Sequence, residues 1–64
     1  MDEEKAIPMV GEIGAAVVAL IAKGAVINRD NIATYLEVRR KTVGNVIHKG
    51  VLRDAAKLVR EGKL

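Results

Sequence analysis

Few side chains in this sequence could carry out chemistry. His48 is the sole histidine, and the 64-residue chain contains neither cysteine nor serine. A hydroxyl nucleophile would have to be Thr34, Thr42 or Tyr35, and none has a base and an orienting group at recognisable spacing. The carboxylates of Asp2, Glu3 and Glu4 are consecutive, which makes an acidic tail and not a paired acid and base. Gly11-Glu12-Ile13-Gly14 superficially resembles a phosphate loop, but no strand precedes it and no P-loop lysine follows. A close helix contact accounts for these glycines better. Thiolate ligands are absent and His48 stands alone, so the sequence offers no metal site. No cofactor motif is visible, and no small-molecule substrate is implied. The expectation is a protein that is not an enzyme and works by binding another macromolecule.

The groups best suited to binding are cations. Residues 1–27 hold two lysines against four acids, a net of −2, whereas residues 28–64 hold nine Lys/Arg against four acids, a net of +5. A basic half of this kind suits DNA or an acidic protein partner. The candidates are Arg39, Arg40, Lys41, Asn45, His48, Lys49, Arg53, Lys57 and Arg60. On a continuous helix, Lys49, Arg53, Lys57 and Arg60 share roughly an 80° sector. Such a row also serves as an ordinary solvated face.

The elements that must position them are helices. Half the residues are hydrophobic, but Tyr35 is the only aromatic, so Ala, Val, Ile and Leu must build the core. Residues 1–7 read as a flexible acidic N-terminus and residues 8–64 as one helical domain. Pro8 is acceptable in a first turn, which places helix 1 at 8–23 with Met9, Ile13, Ala16, Val17, Leu20 and Ile21 turned inward. Its other side is also apolar, and Val10, Gly14, Ala15, Val18, Ala19 and Ala22 form the expected homodimer interface. Asn28 reads as the N-cap of helix 2, over 29–37, which buries Ile32, Ala33 and Leu36. A hinge at Val38-Arg39-Arg40 leads to a helical segment over 41–61. The buried set there is Val43, Val46, Ile47, Val51, Ala55 and Leu58. The fold class is therefore all-α, with three helices, or four if Gly50 breaks the last, packed or intertwined as a homodimer. No secretory signal is apparent, since the start is acidic where a signal needs cations, and Glu12 and Pro8 interrupt the apolar stretch at 6–22. No membrane association is expected, and the expected location is cytoplasmic.

Two resemblances follow. From Ile32 to His48 the chain resembles the helix-turn-helix of small phage and bacterial repressors. Ala33 falls at the helix crossing, Val38 at the start of the turn, and Val43 and Val46/Ile47 anchor the second helix. The resemblance implies that Arg39, Arg40, Lys41, Gly44, Asn45 and His48 face a DNA major groove, where Asn reads adenine and Arg reads guanine. Glu37 departs from it, standing where glycine is usual.

The second covers more of the chain. Ile13-Gly14-x-Ala16-Val17-x-x-Leu20, Gly24, Asn28, Asn31-Ile32, Leu36, Val51-Leu52-Arg53 and Val59 share ungapped spacing with another group. These residues resemble the enterobacterial biofilm and acid-resistance regulators of the AriR/YmgB type, grouped with two-component connector proteins. That resemblance implies a dimerising three-helix subunit whose last helix runs unbroken through Gly50. It also implies a regulatory role in stress response or biofilm control, through partner proteins and DNA. The chain departs in its short N-terminus and in its many basic residues after position 38. Three readings stay open: a regulator of transcription or two-component signalling, a sequence-specific repressor, and an inhibitory or structural interaction protein.

Overall fold

The computed structural model describes residues 3–62 and contains three α-helices joined by short turns: α1 (Glu3–Lys23), α2 (Arg29–Thr42) and α3 (Val46–Glu61). The domain is all-α, as its residue periodicity predicts.

α1 starts earlier than Pro8, which lies inside the helix. Residues 3–7 are thus helical and not a tail, while residues 1 and 2 lie outside the described segment. α1 ends where Gly24 adopts φ +71°. The Gly24 N–H donates to the Ile21 carbonyl and the Ala25 N–H to the Leu20 carbonyl, both at 3.0 Å. This paired pattern satisfies carbonyls that a helix end leaves open, and glycine enters the left-handed region without a Cβ penalty.

The start of α2 agrees with its sequence signal. Asn28 Oδ1 accepts the Asn31 N–H at 2.7 Å, and Asn31 Nδ2 donates back to the Val26 carbonyl at 2.7 Å. The expected hinge at Val38-Arg39-Arg40 is absent, because α2 continues to Thr42. With no glycine or proline at 38–40, nothing stops the helix there. The turn instead falls at Val43-Gly44-Asn45, and Asn45 Oδ1 caps α3 by accepting the His48 N–H at 3.0 Å. The helix-turn-helix register drawn from the sequence is therefore displaced. Arg39, Arg40 and Lys41 end the first helix of the corner and do not open its second. Glu37 sits in mid-helix, and no described non-glycine residue has positive φ.

α3 passes through Gly50 without a break. A Cβ built on Gly50 meets nothing within 4 Å. Gly50→Ala is expected to raise stability by about 1 kcal/mol, the interior-helix difference between the two residues, measured as a higher urea midpoint. A lower midpoint would indicate a bend at this position.

The core joins Met9 and Ala16 of α1, Leu36 of α2, and Leu52, Ala55 and Ala56 of α3, with Ile13, Ile32, Tyr35, Val43, Val51 and Val59 against it. Ala33 is also buried, which suits a close helix crossing. Three inward assignments fail. Val46 and Ile47 are 81% and 80% exposed, because at 100° per residue they point away from the face shared by Leu52, Ala55, Ala56 and Val59. Ile21, expected inward, is exposed as well.

Candidate functional site: a cationic helix face and an internal carboxylate hub

The three helices bring together a polar cluster that sequence spacing does not reveal. Glu12, on the inner flank of α1, accepts a hydrogen bond from His48 of α3, Nε2 to Oε1 at 2.8 Å, when the ring proton is on Nε2. Its other oxygen, Oε2, stands 3.7 Å from Arg39 Nη2 of α2. The Glu12 side chain is only 19% exposed, so these contacts replace water that the carboxylate has largely lost. Arg39 Nε is buried with no hydrogen-bond partner among the described residues. Glu12 thereby ties α1 to both of the other helices.

Glu37 is a second hub. Arg40 of its own helix reaches Oε2 through Nη2 at 2.7 Å and Nε at 3.1 Å. Arg60 of α3 approaches Oε1 at 3.7 Å. Lys23 Nζ lies 5.5 Å from the centre of the Tyr35 ring, holding the end of α1 over α2 by cation–π attraction.

These contacts sort the sequence candidates. Arg39, Arg40, His48 and Arg60 are engaged within the fold, and the Asn45 oxygen is engaged as a cap. Arg53 makes only an exposed contact with its neighbour Asp54, at 3.2 Å, which contributes little. Lys41, Lys49 and Lys57 are exposed, and no ion pair is seen for them among the described residues. Because α3 is continuous, Lys49, Arg53 and Lys57 form a solvent-facing row along it.

The interface candidates on α1 divide similarly. Val10, Gly14, Ala15, Val18 and Ala22 are exposed, while Ala19 is half-buried on the flank. Ile7 and Ile21 join the outward face. From Ala6 to Lys23 the helix is long and apolar enough to cross a bilayer. The fold reaches this length because Pro8 does not begin the helix.

No trio of His, Cys, Asp or Glu among the described residues is placed to hold a metal. A shallow groove lies between the N-terminal halves of α1 and α3, lined by Pro8, Met9, Ile47, Gly50 and Val51, with Glu4 and Asp54 at its rim. The Glu12 hub is not legible in the sequence because Glu12 and His48 are 36 positions apart. The one available signal was Glu12 itself, a lone charge in an apolar helix that requires a cationic partner.

No known family, curated protein or solved structure matches this chain.

Proposed function

We propose that this protein is a small non-enzymatic regulatory module that acts on transcription or two-component signalling by docking onto an acidic protein surface. The observation that carries this reading is the row Lys49–Arg53–Lys57. It remains at the surface after the carboxylates of Glu12 and Glu37 have taken up Arg39, Arg40, His48 and Arg60. Four-residue spacing puts successive cations about 6 Å apart along the axis, a row of about 12 Å. That length suits a cluster of carboxylates.

DNA is the weaker fit for the same row. Proteins that hold DNA firmly contact roughly six to ten phosphates, and three cations give a salt slope of only about −3. Base reading from the corner also loses support, since Arg39 and Arg40 are paired and the Asn45 oxygen is used as a cap. The regulatory context is inferred only from the resemblance in residue spacing to connector-type regulators.

A pull-down from lysate with and without nuclease provides the test, with the charge-reversed variant Lys49→Glu/Arg53→Glu/Lys57→Glu alongside. The expected result is a protein partner that survives nuclease, elutes with salt and is absent from the variant's eluate. Material released entirely by nuclease, or captured equally by the variant, would overturn the proposal. All three side chains are exposed, so the variant should keep the parent's helical content.

A further inference from the structure

The outward face of α1 reads the same in both directions. Gly14 is at its centre, with valines four residues away at Val10 and Val18 and isoleucines seven residues away at Ile7 and Ile21. The four large side chains are similarly exposed, at 72% and 60% for the isoleucines and 68% and 66% for the valines. All five positions fall within roughly an 80° sector of the helix. A heterologous partner has no need of such a palindrome. In an antiparallel two-fold contact, where residue i meets j of the partner and j meets i, it sets side chains of equal size against each other on both sides of the axis.

We infer that two copies of this chain pair through α1 in an antiparallel, two-fold seam whose axis passes Gly14. Ile7 then packs against Ile21 of the partner subunit, and Val10 against Val18 of the partner subunit. Gly14 meets its own equivalent, and nothing lies within 4 Å of a Cβ placed there, so the backbones can approach closely. The seam carries no charge. Glu12 is the only charged residue between Ala6 and Ala22, and it is turned inward to His48 and Arg39. Opposed helix directions also set the two macrodipoles against each other favourably.

The same face is poorly suited to lipid. Spanning a bilayer would pull Met9, Ala16 and Leu20, which are buried, away from α2 and α3. Helices that lie on membranes also border their apolar face with Lys or Arg, and no such border exists here.

Because the chain has no cysteine, single-cysteine variants report the seam directly. A disulfide needs Cα atoms within about 7 Å. Gly14→Cys should therefore cross-link to itself, and Ile7→Cys mixed with Ile21→Cys should give a mixed dimer. Ile7→Cys alone should not cross-link, since its two copies would be about 21 Å apart along the axis. Val10→Asp/Val18→Asp should weaken association at least about 100-fold, while helical content stays unchanged because both positions are at the surface.

Self-cross-linking of Ile7→Cys would overturn the antiparallel seam in favour of a parallel one. A dimer that persists in the double aspartate variant would place the interface elsewhere. Sedimentation as a monomer at hundreds of micromolar, or partition into neutral phosphatidylcholine vesicles in preference to dimerisation, would remove the seam altogether. Each of these readouts is independent of whether the α3 row binds an acidic protein.

Discussion

Leu52→Ala is expected to lower the urea midpoint sharply and to remove a large part of the protein's stability. Leu52 and Leu36 are the largest fully buried side chains, and both sit in the cluster shared by all three helices. Truncating a buried leucine costs about 2–5 kcal/mol, depending on how far the surroundings collapse. The total stability of a domain this small is only about 3–10 kcal/mol. Collapse is limited here, because the neighbouring Ala16, Ala55 and Ala56 have no side-chain freedom with which to fill a hole. Circular dichroism with urea titration gives the measurement, and Leu36→Ala should behave alike. A loss below about 1 kcal/mol at both positions would contradict the core described above. Leu52→Met, which conserves volume, should cost less than about 1.5 kcal/mol.

The second large effect is expected at Glu12. Replacing it by alanine strands His48 and Arg39 beside each other in a half-buried site, and the expected loss is about 2 kcal/mol. A double-mutant cycle with His48→Ala measures the coupling, with an expected value of about 1 kcal/mol. Zero coupling would mean that the 2.8 Å contact gives no net stabilisation. Glu12→Leu is informative in a different way. It also strands the two basic groups, but it fills space, so the difference between leucine and alanine separates packing from charge.

How much of this was legible in the residues depends on the range of the interaction. Local signals read well. Asn28 as a cap and Leu36 with Ala33 as buried positions follow from chain geometry alone. The apolar outward side of α1 was also visible. Pro8 is a misleading signal, because a residue that is tolerated in a first turn here lies inside a helix that begins at Glu3.

The corner between α2 and α3 was displaced for an analogous reason. The repressor-like pattern drew the turn to Val38, although Gly44-Asn45 offers the stronger punctuation, a flexible residue followed by a capping one. With the turn at Val43-Gly44-Asn45, Val46 and Ile47 fall on the exposed side of the start of α3, whereas Val51 and Ala55 keep the inward places expected of them. The candidate site was legible only in part. The α3 row follows from four-residue spacing once the helix is continuous. Which arginines remain at the surface depends on contacts between distant segments, such as Glu37 with Arg60, and those belong to the tertiary fold.

The buried alanines have a consequence for descent. Ala16, Ala33, Ala55 and Ala56 are each no more than 1% exposed, so helix separation is set where a single added methyl group is felt. Over evolutionary time the leucines and valines around them can exchange for one another with modest repacking. The four small positions cannot grow unless the helices move apart. A diverged relative of this protein is therefore best recognised by small residues kept at these four places, even after its large hydrophobic residues and its surface charges have drifted.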